Sequence, residues 1–302
     1  SAPAAYGNAS ARLGLHMVLQ PRFEAEDMLR LIDQCKISHM HIVPTMFVRL
    51  LRLPQEVRQR YDVSSLRFVS HGAAPCAPAV KRQMIEWWGP VINEYYGATE
   101  TGVVVWHGSE EALRKPGTVG RVVPGGILRI VDEQGRDVKQ GEVGEIYVRG
   151  PHLSEFTYNN DDAKRQEISL GNLVTVGDIG YLDGDGFLFL CDRKRDMIIS
   201  GGVNIYPAEI ESVLIQMPGV RDCAVFGIPD EEFGEHICAH VEPMASAALD
   251  AGQVRAYLAQ HLARYKVPKV VEFSAALPRE DSGKIFKRKL RAPYWEKSGR
   301  SI

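Results

Sequence analysis

The sequence predicts an α/β fold in which a mostly parallel sheet and a small β-barrel are followed by a small α+β C-terminal domain. Three stretches of the chain lead to this prediction. Helix and strand patterns alternate over residues 24–100, which is typical of a parallel sheet that binds ligands at the carboxyl ends of its strands. Short strands with glycine turns follow, and then a mixture of helices and strands. We therefore expect three parts, residues 1–116, 117–192 and 193–302.

The elements of the first part follow from apolar spacing and from the positions of proline. Met28, Leu31 and Ile32 repeat at i, i+3 and i+4, the spacing of a helix face. Pro44 stops one strand, and Pro78 suits the first turn of a helix. The strands predicted here cover residues 40–43, 67–70 and 91–95, and the helices cover residues 24–35, 45–51 and 78–88.

The later elements are assigned from the same signals. Glycine-bounded turns at 132–135 and 183–186 separate short apolar runs. Pro207 begins a helix with Ile210 and Leu214 on one face. The strands predicted in this half cover residues 126–131, 145–148, 186–190, 224–226 and 237–241, and a last helix is marked by Val254, Tyr257, Leu258 and Leu262.

Composition and charge narrow the functional classes. The chain has 302 residues, a formal net charge of −2 and 45% hydrophobic residues. This balance does not favour nucleic acid as a partner, and no apolar run approaches the ~20 residues that span a bilayer. The N-terminal residues lack the basic and apolar pattern of a signal peptide, and together with the cysteine usage this leads us to expect a cytoplasmic protein. Five scattered cysteines without a CxxC spacing indicate reduced thiols rather than zinc or disulfides.

Residues 95–102 offer the first candidate chemistry. An aromatic ring such as that of Tyr95 at a strand end can stack on a purine, and Gly97 lets the backbone turn toward phosphate. Thr99 offers a hydroxyl to a phosphate oxygen. Glu100 is a hard oxygen ligand for Mg²⁺, which binds through one or two carboxylates and substrate phosphates. Taken alone, these residues also fit a strand-to-loop turn with a solvated glutamate.

Three further segments are equally ambiguous on their own. Residues 71–75 follow a strand and have small side chains that let a ligand approach the backbone, or they form a tight turn into a helix. Asp178 lies between glycines and suits the two hydroxyls of a ribose, or an Asx turn. Lys284 follows a glycine in a polar loop and can neutralise a reacting phosphate, a contact that can be worth ~2.7–4 kcal/mol. A solvated basic loop fits Lys284 as well.

Taken in order, these segments resemble the adenylate-forming superfamily of acyl-CoA synthetases, nonribosomal adenylation domains and luciferases. The resemblance covers essentially the whole chain and is most like a fatty- or bile-acid-type acyl-CoA ligase. The most specific string is DRKRDMIISGGVNIYPAEIE, which begins at residue 192. The other matching strings are YYGATETG, GEVGEIYVRGP, GDIGYLDGDGF and LPREDSGKIFKR.

The resemblance implies a two-step reaction with ATP, Mg²⁺ and CoA. A carboxylic acid attacks the α-phosphate of ATP to give an acyl-adenylate and pyrophosphate, and the CoA thiol then displaces AMP. Tyr96 would stack on adenine, Thr99 would contact the α-phosphate and Glu100 would hold Mg²⁺. The positions that match nucleotide-binding residues of the family are Gly72, Ala73, Ala74, Asn93, Tyr95, Tyr96, Asp178 and Arg193.

The resemblance also implies a mobile C-terminal domain. Arg195 matches the hinge about which that domain rotates between the two steps. Lys284 would bridge the carboxylate and the α-phosphate during adenylation only. After rotation, Gly201 and Gly202 would form the pantetheine tunnel, and Phe233 matches a position that can face the CoA nucleotide.

The acid itself is expected to be apolar, because no charged residue stands out as a partner for a second polar group. The candidates for the acyl pocket are His71, Ala98, Val103 and Val104, together with Met46 and Trp106. A homodimer is a further expectation.

One departure from the family concerns the Ser/Thr/Gly-rich phosphate loop, which precedes all of these motifs and has no counterpart here. We therefore expect this chain to correspond to the C-terminal three-fifths of the enzyme and to have little ligase activity alone. A second departure is Glu280, where the family often has threonine, because it adds a negative charge near Lys284.

Two alternatives to a CoA ligase stay open. One is an adenylation domain that loads a carrier protein, which the double glycine argues against. The other is a catalytically incompetent chain that binds AMP.

Overall fold

The computed structural model describes residues 6–151, 156–159, 161–245, 247–279 and 285–297. The chain divides into two compact units: Ser1–Val176 with Gly180–Leu190, and Gly177–Ile179 with Cys191–Ile302. The division falls close to residue 193, where the sequence predicts the start of the last part. No helix in the described ranges is long and apolar enough to cross a membrane.

The first sheet has five strands in the order β1-β2-β3-β4-β5. Strands β1 to β3 are parallel, and β4 and β5 are antiparallel to their neighbours. The strands are β1 His39–Ile42, β2 Phe68–His71, β3 Ile92–Ala98, β4 Gly102–His107 and β5 Arg121–Val122. The helices of this region are α1 Asn8–Arg12, α2 Ala25–Cys35, α3 Pro44–Leu51, α4 Gln55–Arg60, α5 Pro78–Trp88 and α6 Ser109–Arg114.

The helices of this region begin and pack as their sequences indicate. Proline occupies the first turn of both α3 and α5, where its missing N–H is not needed. Leu29 of α2, Phe47 of α3 and Met84 of α5 are fully buried in one apolar cluster with the core-facing side of the sheet. Burying each such side chain contributes roughly 1.5–3 kcal/mol, which fixes the helices on this face.

Strand β3 is longer than the sequence indicates, because it continues through Ala98 and turns into β4. A Cβ at Gly97 would overlap the carbonyl oxygen of Gly102, so only glycine allows this close pairing. The segment predicted as a strand end followed by a loop is therefore a β-hairpin.

The second sheet has six strands. Its order is β11-β10-β7-β9-β8, and β6 pairs with β7 in the antiparallel direction. Within the described residues this sheet does not close on itself, so the mixed α/β fold is confirmed without a closed barrel. The strands are β6 Ile127–Val131, β7 Gly144–Arg149, β8 Ser169–Leu170, β9 Leu173–Val174, β10 Asp178–Leu182 and β11 Leu188–Arg193, and the helix is α7 Asp162–Glu167.

The second unit is an α+β domain with its own core. Its sheet has the order β13-β12-β15-β14, and β16 pairs with β15 in parallel. Fully buried Ile210, Leu214 and Val254 pack their helices on this sheet. The strands are β12 Ile198–Ser200, β13 Val203–Ile205, β14 Val220–Asp230, β15 Gly234–Pro243 and β16 Val270–Phe273, and the helices are α8 Pro207–Leu214, α9 Ala251–His261 and α10 Lys287–Lys297.

Candidate nucleotide-binding and acyl-transfer site

The loop after β2 and the end of β3 lie against each other at the carboxyl end of the parallel strands. A Cβ at Gly72 would lie 2.9 Å from both Cζ and the carbonyl oxygen of Tyr95. Glycine is required here because any larger residue would push the tyrosine away. The predicted loop and the predicted aromatic strand end are therefore brought together.

The loop is strained at the next residue. Ala73 has a φ of +67°, in the left-handed region that residues with a Cβ rarely adopt. Ala73 and Ala74 are exposed, whereas Gly72 is buried beneath them. Small exposed residues on a buried glycine leave room for a flat ligand such as a purine.

The two tyrosines of β3 face different surroundings. Tyr95 lies 5.8 Å from the ring of His41, and burial raises the pKa of its hydroxyl. Tyr96 packs against the apolar cluster of Val104 and Val105. The ring against Gly72 is thus that of Tyr95, and the stacking role of Tyr96 stays a prediction. Asn93, on the same face as Tyr95, donates its side-chain amide to the carbonyl of Val91 (2.8 Å).

Glu94, between the residues of this site, is the centre of a buried polar cluster. Its Oε2 is ion-paired with Lys81 of α5 and lies 2.8 Å from Nε2 of His107. Burial by itself raises the pKa of Glu94, but the hydrogen bond from His107 and the charge of Lys81 outweigh it and lower the pKa to about 2. Glu94 is therefore ionised at neutral pH.

His71 faces the same cluster. Its Nδ1 lies 3.9 Å from Oε1 of Glu94, and its ring meets Phe47 edge-on at 5.2 Å. Neither ring nitrogen has a hydrogen-bond partner among the described residues. Burial lowers the pKa of His71 to about 4, so the ring is neutral.

The tip of the hairpin between β3 and β4 presents Thr99 and Glu100. Thr101 closes this turn, because its Oγ1 accepts the backbone N–H of Ala98 at 2.8 Å. Thr99 is exposed, and Glu100 accepts a hydrogen bond from the hydroxyl of Tyr158 (3.1 Å). A half-buried carboxylate beside an exposed hydroxyl fits a Mg²⁺ held by one protein ligand and substrate phosphates. No group of three metal-ligating side chains occurs in the part of the chain that the structure describes.

The residues predicted for the acyl pocket do not share one surface. Val103 is 40% exposed, whereas Val104 next to it is fully buried. Ala98 is half-buried at the end of β3 and Met46 packs against the helical core. Trp106 stacks on Phe68 at 5.5 Å. His71 lies in the buried cluster described above. The acyl pocket stays a prediction.

The pair predicted to bind ribose, Asp178 and Arg193, lies in the second unit. Nε of Arg193 is 3.6 Å from Oδ1 of Asp178, and the guanidinium is 47% exposed. The neighbouring Asp192 accepts the backbone N–H groups of Arg193 (2.7 Å) and of Ala208 (2.8 Å). Asp192 thereby attaches the end of β11 to the start of α8.

The predicted hinge residue lies in a turn. Backbone N–H groups of Asp196 and Met197 both bond to the carbonyl of Arg193, at 3.0 and 3.1 Å. The side chain of Arg195 is 76% exposed. Its role as a hinge stays a prediction.

The three residues predicted to bind CoA include two that are in contact. Gly201 donates its N–H to the carbonyl of Phe233 (2.9 Å), and a Cβ at Gly201 would lie 3.0 Å from the ring. Gly201 and Gly202 have φ of +57° and +80°, and nothing lies within 4 Å of a Cβ at Gly202. The backbone is therefore open at Gly202, whereas at Gly201 it lies against Phe233, a residue that is 40% exposed.

Lys284, and Glu280 before it, lie outside the described residues. The residues on either side of this segment are attached to the body of the second unit. Arg279 is ion-paired with Asp222 (2.6 Å), and Lys287 with Glu211 (2.7 Å).

Sequence reasoning missed the buried cluster of Lys81, Glu94 and His107. The helical spacing of α5 indicates that Lys81 is buried, because it shares a face with Met84, Ile85 and Trp88. A lysine on a buried face needs a carboxylate partner. Tyr158 was also missed, because its contact with Glu100 joins residues that are 58 positions apart.

Comparisons with known proteins identify the two halves of the chain. Residues 6–156 match the family model of AMP-binding enzymes, and residues 209–284 match that of the AMP-binding enzyme C-terminal domain. The chain is 39% identical over 279 residues to the indoleacetate–CoA ligase of Aromatoleum aromaticum, covering 92% of this chain and 54% of that protein. It is 34% identical over 311 residues to a medium/long-chain-fatty-acid–CoA ligase of Mycobacterium tuberculosis, covering 100% of this chain and 54% of that protein.

A solved structure agrees with this relationship. The o-succinylbenzoate CoA synthetase of Bacillus subtilis, in complex with its acyl-adenylate intermediate, has a TM-score of 0.81 and 32% identity. The match covers 93% of this chain and 56% of that one. This chain spans about half the length of the curated relatives it matches. The family models, the relatives and the fold agree that the chain belongs to the AMP-binding enzymes of the adenylate-forming superfamily.

Proposed function

We propose that this chain is part of an ATP-dependent acid–CoA ligase. The observation that carries the proposal is the contact of Gly72 with Tyr95 at the carboxyl ends of β2 and β3, inside the region that matches the AMP-binding family. Ligands bind at such strand ends in open α/β sheets. The relatives named above act on indoleacetate and on fatty acids, which supports a CoA ligase.

The first step is adenylation. A carboxylate oxygen of the acid forms a bond to the α-phosphorus of ATP, and the bond to the bridging oxygen of pyrophosphate breaks. Thr99 would donate to an α-phosphate oxygen, and Lys284 would neutralise the charge that develops there. Glu100, oriented by Tyr158, would hold Mg²⁺, which supplies positive charge to the phosphates when bound.

The second step is thioester formation. The CoA thiol loses its proton to solvent as its sulfur forms a bond to the acyl carbon, and AMP leaves with the electrons of the broken acyl–phosphate bond. The absence of side chains at Gly201 and Gly202, with open space at Gly202, suits the narrow pantetheine arm, and the ring of Phe233 suits contact with the CoA nucleotide. The acid we propose is apolar, either a fatty acid or a ring-bearing acid, by analogy with the acids of the named relatives.

Three measurements test nucleotide binding, the identity of the acid and the thiol that accepts the acyl group. Titration calorimetry with AMP and with a non-hydrolysable acyl-adenylate analogue tests nucleotide binding by this chain alone. Binding of neither ligand would contradict the proposal. Pyrophosphate release over fatty and aromatic acids then identifies the acid, in a polypeptide that also supplies a phosphate loop. Thioester formation with free CoA, compared with a phosphopantetheinyl carrier protein, separates a CoA ligase from a carrier-loading domain.

A non-catalytic AMP-binding role is the second candidate, because the contact between Gly72 and Tyr95 lies in the region that matches the AMP-binding family. It predicts AMP binding without pyrophosphate release even when a phosphate loop is supplied. The cytoplasmic location and the homodimer stay predictions from the sequence.

A further inference from the structure

The loop of residues 72–77 has both of its attachments next to one buried carboxylate, that of Glu94. The loop leaves β2 at His71, whose Nδ1 lies 3.9 Å from Oε1 of Glu94. It enters α5 at Pro78, and at the end of the first turn of that helix Lys81 is ion-paired with Oε2 of Glu94. A single side chain on β3 therefore lies between the two ends of the loop.

The same carboxylate also contacts β4 and the chain beyond it. Nε2 of His107 lies 2.8 Å from Oε2 of Glu94, and Nδ1 of His107 lies 2.9 Å from the carbonyl oxygen of Gly108. Lys81 reaches the carbonyl oxygen of Thr118 at 3.5 Å. The side chains of Lys81, Glu94 and His107 are 5%, 4% and 1% exposed. A pair buried this deeply restrains its elements strongly, because separating the charges would leave each one without water.

The loop needs a restraint of this kind because its conformation is unfavourable in itself. Ala73 is left-handed, and such a residue persists only where its surroundings hold it. The next residues, Ala74 and Pro75, are exposed, whereas Gly72 and Cys76 at the two ends of the loop are buried. What holds Ala73 must therefore act from the two ends of the loop.

We propose that Lys81 and Glu94 are positioning residues for the nucleotide site: their ion pair fixes the 72–77 loop against β3 and keeps Ala73 left-handed, next to the contact of Gly72 with Tyr95, before any ligand arrives. The identity of the ligand rests on the proposed function, whereas the order of the loop is a property of the free chain. A site that is ordered in advance binds more tightly, because apparent affinity falls in proportion to the competent fraction.

Cys76 reports on the loop directly. Its thiol is buried, so a thiol reagent reaches it only when the loop opens. Burial together with the charge of Glu94 also raises the pKa of this thiol to about 12, which keeps it unreactive in the closed loop. The charge of Lys81 acts to lower this pKa, so its removal cannot accelerate the reaction electrostatically. Exposed Cys35 supplies the reference rate for the reagent.

The experiment measures alkylation of each cysteine by mass spectrometry in the folded chain. Lys81→Met is compared with Lys81→Arg and with Lys115→Met, which also removes a lysine paired with a carboxylate in the first unit (Asp183, 2.8 Å). We expect Lys81→Met to accelerate Cys76 at least tenfold relative to Cys35, and the other two variants to stay within twofold of wild type. The double variant Lys81→Met/Glu94→Gln leaves no unpaired buried charge and covers a Lys81→Met protein that fails to fold. Because loss of the Glu94 charge by itself lowers the pKa of Cys76, the loop of this variant is followed by amide hydrogen exchange of residues 72–77, which we expect to be at least tenfold faster than in wild type.

Calorimetry with AMP completes the test. We expect the dissociation constant for AMP to rise about tenfold in the double variant and to stay near wild type in Lys115→Met. An unchanged Cys76 alkylation rate in Lys81→Met, or, where that protein does not fold, unchanged hydrogen exchange of residues 72–77 in the double variant, would overturn the positioning role while leaving AMP binding intact. The positioning role would also be overturned if the alkylation rate of Cys76 rose only in proportion to the fraction of globally unfolded protein. Failure of the wild-type chain to bind both AMP and the acyl-adenylate analogue would instead overturn the proposed function, and the cysteine result would still decide whether the pair orders the loop.

Discussion

Oε1 of Glu211 in α8 lies 2.7 Å from Nζ of Lys287 in α10 and also accepts the backbone N–H of Val225 in β14 at 2.6 Å. Burial alone would lower the pKa of Lys287, but Glu211 and Asp192 raise it above its usual value. One carboxylate oxygen thus joins two helices to the central hairpin of the second unit, next to the segment that contains Lys284.

We expect Lys287→Met to lower the free energy of unfolding of the second unit by about 1–3 kcal/mol, because it leaves a mostly buried carboxylate without its charge partner. Urea titration followed by far-UV circular dichroism measures the loss. Lys269→Met is the matched control, since Lys269 is 58% exposed and its partner Asp230 lies 3.5 Å away. A loss in Lys287→Met no larger than in Lys269→Met would contradict a structural role for the pair.

Substitution at the double glycine separates backbone strain from contact with the aromatic ring. Both positions are left-handed, so an alanine at either one costs roughly 1–2 kcal/mol of stability. Only at Gly201 would the new Cβ lie 3.0 Å from the ring of Phe233, which must then move. We therefore expect Gly201→Ala to weaken CoA binding more than Gly202→Ala does, measured by calorimetry. Equal weakening in the two variants would argue against Phe233 as part of the CoA site.

Loss of the Tyr158 hydroxyl is expected to affect ATP binding only when Mg²⁺ is present. Tyr158→Phe removes the donor to Glu100 (3.1 Å) and leaves that carboxylate less well oriented for a metal. We expect a several-fold weaker affinity for ATP in Mg²⁺ and an unchanged affinity for AMP in its absence. If Tyr158→Phe weakens AMP binding to the same degree, the hydroxyl does not act through the metal.

Because of His71, we expect the stability of the first unit to fall on acidification at pH values above those at which carboxylates titrate. The unfolded chain takes up a proton on this ring near pH 6.5, whereas the folded chain does so only at about pH 4, because burial lowers the pKa. The contribution of the neutral His71 ring to stability is therefore fully present above about pH 6.5 and is lost as the pH falls toward 4. Between pH 7 and pH 5 the loss from this ring amounts to about 2 kcal/mol.

The control for this prediction is His71→Asn, which cannot take up the proton. The free energy of unfolding is measured by urea titration at several pH values. We expect it to change less steeply with pH in the variant than in wild type. A residual slope in the same direction is expected from His41, whose pKa burial also lowers. An identical pH slope in wild type and variant would show that His71 is not the group responsible.

Lys284→Ala tests the division of labour between the two reaction steps. If this lysine acts in adenylation only, pyrophosphate release should fall on the order of 100-fold or more, while thioester formation from a supplied acyl-adenylate stays within a few-fold. Both steps are measured in the polypeptide that performs the whole reaction. An equal loss in both steps would contradict the assignment.

Much of the fold was predictable from local patterns. The helices α2, α3 and α5 lie within a residue of their predicted positions, because proline and apolar spacing act over a few residues. The hairpin after Tyr96 was not predicted, because it depends on Gly97 meeting Gly102 across the turn. The strands β14 and β15 are longer than predicted, since each is extended by pairing with the other rather than by its own composition.

The sequence by itself determined the family, the main helices of the first region and the residue types available for the proposed binding of nucleotide, metal and CoA, because these are carried by short strings whose chemistry is local. Only the tertiary structure decided that Tyr95 rather than Tyr96 lies against Gly72, and that Lys81, Glu94 and His107 meet in the core beneath them. Adjacent residues of a strand point to opposite faces, and which face meets which neighbour is set by strand register and helix packing over distances that no local pattern contains.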